Sequence, residues 1–67
     1  MDMEEAVEKA ARFLTMSGYP THKLISVKFD KSKNEWTLKF DVGAIMYVYI
    51  TLTVDDATGR VVGYERT

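Results

Sequence analysis

The sequence predicts a small α+β domain, with one N-terminal helix packed on a four-stranded antiparallel β-meander in the order α-β-β-β-β. Apolar residues recur at helical spacing up to residue 16, and from residue 23 they alternate with polar residues as in half-buried strands. Polar or glycine-containing turns divide the second part into four segments. A chain of 67 residues has room for one such domain, so residues 1–67 are assigned to it.

The helix is predicted over about residues 2–16. Asp2 followed by Glu5 is typical of a capping box, with Asp in place of the usual Ser or Thr. Gly18 is a typical residue just beyond a helix, and Pro20 prevents continuation. One side of the helix is apolar and consists of Met3, Ala6, Val7, Ala10, Phe13 and Leu14.

The alternation predicts four strands, at about residues 23–30, 35–42, 45–55 and 60–66. The helix then covers the apolar face of the sheet, which is formed by Ile25, Val27, Phe29, Trp36, Leu38, Phe40, Val42, Met46, Val48, Ile50, Leu52 and Val54.

Turn lengths set the expected register. They place Phe29 opposite Trp36, Val54 opposite Val61, and Asp55 opposite Arg60. Around Gly43 a two-residue turn would pair residues of opposite faces. We therefore expect a bulge or an odd-length loop there, with Phe40 facing Met46.

Composition and motifs give no sign of an enzyme. The chain has no cysteine and one histidine, which excludes a disulfide framework, a thiolate metal site and a multi-histidine site. The lone His22 lies just after Pro20 at the edge of a strand and is interpreted as an exposed loop residue, and no glycine-rich phosphate loop is present. The adjacent Asp55 and Asp56 are typical of a turn. We expect no catalytic residues, no metal and no cofactor.

The outer face of the sheet is the predicted binding surface, because exposed aromatic residues there have no second helix to cover them. The expected register places Lys39 beside Tyr47, Thr37 beside Tyr49, and Tyr49 beside Arg66. The candidate site residues are three tyrosine anchors with basic residues around them: Tyr47, Tyr49, Tyr64, Lys39, Arg66 and Lys28.

Several occupants of this surface remain open. A protein or peptide partner is the favoured one, and a structural homodimer is the first alternative, since small domains without disulfides or metals are often stabilised by association. Single-stranded nucleic acid stacked on the tyrosines is a second alternative, which the formal net charge of −1 disfavours. Tyrosines are also simply good cross-strand residues in sheets.

Four lysines surround the first strand, which we expect at an edge of the sheet: Lys23, Lys28, Lys31 and Lys33. The preferred interpretation is that they guard an exposed edge against pairing with other strands. The alternative is recruitment of an acidic partner or of an extended peptide along that edge.

The apolar runs are too short for a bilayer span of about 20 residues, so no membrane association is expected. The N-terminus is acidic where a secretory signal would be basic, and no apolar segment follows it. We expect a cytoplasmic protein, unless the chain is a piece of a longer exported one.

The order of elements, with Val54-Asp55-Asp56-Ala57-Thr58-Gly59-Arg60-Val61-Val62 near the end, resembles the PepSY family. PepSY domains open with a helix like residues 6–14 and commonly close with such a hairpin. The resemblance implies a non-catalytic module of peptidase propeptides and of membrane-associated or exported proteins, often proposed to bind or restrain peptidases. This chain shows no signal, membrane segment or peptidase domain, which departs from that pattern.

Overall fold

A computed structural model describes residues 1–67 as one helix followed by four strands. The elements are α1 (Met3–Met16), β1 (Lys23–Asp30), β2 (Glu35–Asp41), β3 (Tyr49–Asp55) and β4 (Val61–Arg66). The strands form one antiparallel sheet in the order β1-β2-β3-β4. The predicted α-β-β-β-β fold is confirmed. Its helix lacks the length and apolar character needed to cross a membrane.

Both ends of α1 are capped by the predicted residues. The Asp2 carboxylate accepts a hydrogen bond from the Glu5 backbone N–H at 2.8 Å, and the Glu5 side chain accepts one from the Asp2 N–H at 3.3 Å. At the other end Gly18 has a left-handed φ of +94°. The Tyr19 N–H donates to the Leu14 carbonyl at 2.9 Å, which completes a Schellman motif.

The core lies between α1 and the sheet. We call the face covered by α1 the inner face and the opposite one the outer face. Three helix residues, Ala6, Ala10 and Leu14, are fully buried, and the two alanines let the helix backbone come close to the sheet. The sheet contributes the predicted inner residues of β2 and β3: Trp36, Leu38, Phe40, Ile50, Leu52 and Val54.

The helix packs on β2, β3 and β4 and leaves the inner side of β1 largely open. Leu24 is 38% exposed and Phe29 is 41% exposed. A bulge between Leu24 and Ser26 places Leu24 opposite Phe40. The prediction that Ile25 lies inward is therefore wrong: it is the extra residue of the bulge and is 48% exposed.

The third strand begins later than predicted. β3 starts at Tyr49, because residues 42–48 form a loop although their sequence continues the apolar alternation. Met46, expected to face Phe40, is 75% exposed in this loop. The residue paired with Phe40 is Ile50. The smaller differences are that β2 ends at Asp41 and β4 begins at Val61.

A second bulge changes which face β4 presents. Val61 lies opposite Val54, as predicted, but Gly63 lies opposite Thr53, so Val62 is an extra residue. Beyond it, Tyr64 pairs with Leu52 and Arg66 with Ile50. Both residues are therefore on the inner side of the sheet, and the prediction that they lie on the outer face is wrong, since one extra residue reverses the alternation.

Asp55 has two roles in the hairpin between β3 and β4, one through its backbone and one through its side chain. Its backbone N–H donates to the Arg60 carbonyl at 2.9 Å, so the two residues are paired as expected. Its carboxylate, however, accepts from the Thr58 N–H at 2.9 Å and from the Thr58 hydroxyl at 2.8 Å. The side chain thus stabilises the turn instead of pairing with the guanidinium of Arg60.

Candidate functional site

The β2–β3 loop, residues 42–48, is held at its base by the last residue of β2, and we call it the tip loop. The Asp41 carboxylate accepts hydrogen bonds from the Gly43 N–H at 2.9 Å and from the Val48 N–H at 3.4 Å. The Val42 N–H donates to the Val48 carbonyl at 2.8 Å. These bonds join the two ends of the loop and restrict its shape.

Glycine at position 43 is required by a close approach of the backbone. A Cβ atom added to Gly43 would lie 1.7 Å from the carbonyl oxygen of Met46 and 3.0 Å from the nitrogen of Val48. No side chain fits in that space. Gly43 therefore lets the loop fold back tightly on itself and project the residues that follow.

Three of those residues are large, apolar and mostly exposed. Ile45 is 98% exposed, Met46 is 75% exposed and Tyr47 is 80% exposed. A run of three large apolar side chains in water is unfavourable, and contiguous exposed apolar surface of this kind marks interaction sites. The apolar tip is thus a candidate contact surface.

An aromatic stack continues this surface onto the sheet. The rings of Tyr47 and Tyr49 are nearly parallel, at 8°, with centroids 6.1 Å apart. The ammonium nitrogen of Lys39 lies 4.5 Å from the centroid of the Tyr49 ring, within the range of a cation–π contact. Three of the predicted site residues are therefore brought together at this end of the sheet.

The cross-strand partners of these residues differ from the expected ones, because residues 45–48 were predicted to be part of the third strand and lie in the loop instead. Lys39 pairs with Thr51 and Thr37 with Thr53, and Tyr49 pairs with Asp41. The cation reaches Tyr49 diagonally across the sheet, a distance that long and aromatic side chains can span.

Lys28 keeps its predicted face but lies away from this stack. It is opposite Thr37 on the outer face. It lines an open depression of about 470 Å³ together with Phe29, Asp30, Lys31, Ser32 and Thr37.

The structure separates Tyr64 and Arg66 from the other candidates. Tyr64 lies on the inner side, where its ring is 6.4 Å from that of Phe13 and its hydroxyl is 3.3 Å from the hydroxyl of Tyr19. The hydrogen bond with Tyr19, with partial burial, raises the pKa of Tyr64. We interpret this tyrosine pair as a contact that fastens the end of α1 to β4.

The residues considered for catalysis have structural contacts. The Nδ1 atom of His22 is 3.1 Å from the Tyr19 carbonyl oxygen, and its ring lies edge-on to Phe40 with centroids 5.7 Å apart. The two adjacent carboxylates diverge, since that of Asp55 caps its turn and that of Asp56 accepts from Trp36. Nowhere do three His, Asp or Glu side chains converge as metal ligands would.

A second depression, of about 330 Å³, lies between α1 and β4. Basic side chains surround it and apolar ones form the rest of its lining: Lys9, Arg12, Arg60, Phe13, Met16 and Val61, with Gly59. The stem of Lys9 passes close to Gly59, where an added Cβ would lie 3.3 Å from its Cε.

Sequence reasoning left two exposed residues out of the site: Ile45 was expected only near the tyrosines on the outer face, and Met46 was assigned to the inner face. The signal that marks them is Gly43, since an isolated glycine within a strand pattern indicates a close backbone approach or a bulge. Asp41 just before it, able to accept from nearby backbone N–H groups, adds to that signal.

Comparisons of the chain with protein-family models, with curated proteins and with solved structures find no match. The similarity to PepSY domains stays a prediction from the order of elements and the terminal hairpin.

Proposed function

We propose that this chain is a non-catalytic binding module that holds a protein or peptide partner at the tip loop and at the adjoining stack of Tyr47, Tyr49 and Lys39. The observation that carries the proposal is the high exposure of three neighbouring side chains, Ile45, Met46 and Tyr47, in a loop whose base is hydrogen-bonded. A loop ordered in advance loses little conformational entropy on binding, so its apolar contacts contribute more fully to affinity.

The chemistry of the surface indicates the kind of partner. A projecting Ile-Met-Tyr tip is complementary to a concave apolar pocket, and methionine adapts to irregular pocket walls. Lys39 supplies a positive charge beside the aromatic rings. An acidic group at the rim of the partner's pocket would match it. The resemblance to PepSY domains supports a peptidase as the class of partner.

Single-stranded nucleic acid is the competing occupant of the tyrosine rings. The outer face mixes acidic residues such as Glu35 and Glu65 with its lysines, and the formal net charge of the chain is −1. Affinity for nucleic acid rests mainly on positive charge, so this composition favours a protein.

The test compares two methionines of similar exposure. Met46 in the tip loop is 75% exposed, and Met16 at the end of α1 is 80% exposed. A protein captured by the immobilised wild-type chain is purified, and its dissociation constant is measured by calorimetry. We expect Met46→Ser and Tyr47→Ala to weaken binding at least tenfold and Met16→Ser to leave it unchanged.

Two results would contradict the proposal. In the first, Met46→Ser and Tyr47→Ala bind as tightly as the wild type, whereas Met16→Ser no longer binds. That result would place the contact at the depression between α1 and β4. The other is quenching of tyrosine fluorescence by oligothymidylate at low salt that Tyr47→Ala abolishes, which would assign the stack to nucleic acid.

A further inference from the structure

The strand β1 combines a free edge with an open apolar side. It is the first strand of the β1-β2-β3-β4 order, so the backbone groups along one of its edges have no neighbouring strand. Its inner side lies beyond the main contacts of α1. Leu24 and Phe29 are 38% and 41% exposed there.

The largest of these exposed groups belongs to an apolar cluster. The ring of Phe29 packs on the indole of Trp36 with centroids 4.8 Å apart. Met3, in the first turn of α1, is 52% exposed. That turn lies at the same end of the sheet, because the amino group of Met1 and the indole of Trp36 bind the same oxygen of Asp56. Phe29 and Met3 therefore expose apolar surface at the same end of the sheet.

We propose that the occupant of this surface is a second copy of the chain, whose β1 pairs with it in antiparallel orientation about a two-fold axis at Phe29. The two sheets then form one continuous sheet, and the two Phe29 side chains face each other. Identical strands are self-complementary in this arrangement, as a two-fold interface requires. This inference does not depend on the proposed role of the tip loop.

Charge complementarity selects the register. With the axis at Phe29, Lys28 of each copy lies opposite Asp30 of the other, and all four side chains are on the outer face. An axis at Lys28 would bring two lysines together, and like charges directly opposite each other destabilise a sheet. Hydrogen bonds from Ser32 lower the pKa of Asp30, which keeps its carboxylate charged.

The bulge in β1 favours the same register. An axis at Val27 would place Phe29 opposite Ile25, where the strand is irregular. Pairing about Phe29 uses residues 28–30 at the end of β1 and leaves the bulge between Leu24 and Ser26 outside the paired segment. Lys28 then selects the register as well as guarding the edge.

The arrangement leaves both tip loops free. Asp41, at the base of the tip loop, is paired with Lys23 at the start of β1, whereas Phe29 lies near the end of that strand. The two tip loops therefore lie away from the axis. A dimer of this kind would present two identical contact surfaces to a multivalent partner.

Light scattering behind size exclusion, over a range of concentrations, tests the proposal. The wild-type chain should have twice the monomer mass of 7.7 kDa. We expect Phe29→Glu and Lys28→Glu to raise the dimer dissociation constant at least tenfold, and the matched control Ile45→Glu in the tip loop to leave it unchanged. A wild-type monomer at every concentration, or an intact dimer of Phe29→Glu, would overturn the proposal.

Disulfide cross-linking tests the register position by position. The chain contains no cysteine, so one introduced thiol reports only on its own position. Phe29→Cys should form an intermolecular disulfide on mild oxidation, whereas Leu24→Cys should not. Cross-linking at Leu24 but not at Phe29 would refute the register. Dissociation of the dimer by Ile45→Glu would show instead that the tip loop forms the dimer, and would also refute the proposed function.

Discussion

The indole Nε1 of Trp36 donates a hydrogen bond of 2.8 Å to Oδ1 of Asp56. The same oxygen accepts from the amino group of Met1 at 3.1 Å. One carboxylate thus links β2, the β3–β4 turn and the start of the chain. These contacts lie at the end of the sheet opposite the tip loop and fasten the helix where α1 begins.

Two substitutions of Asp56 should lower the stability of the fold to different extents. Asp56→Asn keeps an oxygen that can accept from Trp36 but removes the charge that attracts the Met1 amine, so we expect a moderate drop in the urea midpoint. Asp56→Ala removes both interactions and leaves the indole N–H without its partner, so the drop should be larger. Equal midpoints for wild type and Asp56→Ala would contradict this account.

Acid should destabilise the fold through the same group. The hydrogen bond from Trp36, followed by the contact with the Met1 amine, lowers the pKa of Asp56 from its ordinary value of 3.8. The contribution to stability is therefore complete above that value and is lost as the pH falls through it towards the lower pKa of the folded state. Trp36 fluorescence in urea at about pH 6 and about pH 3 measures the loss.

A variant without a titratable group at position 56 shows whether Asp56 causes this pH dependence of stability. Asp56→Asn does not titrate at position 56, so its stability should change less between the two pH values than that of the wild type. An identical pH dependence in both proteins would show that the acid sensitivity arises from other carboxylates.

Truncation of a leucine to alanine should lower the free energy of unfolding more on β2 than on β1. Leu38 of β2 is fully buried under α1, whereas Leu24 of β1 is 38% exposed. Leu38→Ala should lower the free energy of unfolding by about 2–5 kcal/mol. Leu24→Ala, measured on the monomer at low concentration, should lower it by under about 1.5 kcal/mol. Equal costs would mean that α1 covers β1 as fully as β2.

A methyl group at position 43 should displace the tip loop while the sheet stays folded. The Cβ of Gly43→Ala would collide with the Met46 carbonyl, so the loop must open and Tyr47 must move relative to Tyr49. Ala44→Ser, at the exposed neighbouring position, is the control. We expect large shifts of the amide resonances of residues 42–49 in Gly43→Ala only. Unchanged spectra would show that the close approach is absent in solution.

The contact of Lys39 with Tyr49 should be visible in the unbound protein. An ammonium 4.5 Å from the ring centroid brings the adjoining CH₂ group into the ring current. The Lys39 Hε protons should resonate upfield of their ordinary position and return to it in Tyr49→Ala. Ordinary shifts in the wild type would contradict the stack.

The sequence predicted the elements well where one periodicity continued without interruption. The capping residues Asp2 and Gly18 and the alternation from Trp36 to Phe40 are local signals, and each is confirmed. The pairs Phe29–Trp36 and Val54–Val61 followed from turn lengths alone. Short-range chemistry therefore sufficed for the fold and for the inner faces of β2 and β3.

The errors in the site arise from single residues that reverse the alternation. Val62 is the extra residue that moves Tyr64 and Arg66 to the inner side, next to Gly63, whose added Cβ would lie 3.0 Å from the Thr53 side chain. The apolar pattern of Ile45 to Val48 continues smoothly into β3 and conceals the loop. Whether a strand bulges or turns there depends on close backbone contacts that periodicity does not record.

The most direct test of the central claim is a two-dimensional amide NMR titration of the labelled chain with the captured protein partner. We expect the largest changes at residues 43–49 and at Lys39, with little change along β1. Changes concentrated on β1 or in the depression between α1 and β4, with the tip loop unaffected, would contradict the claim that this loop and its tyrosine stack are the binding site.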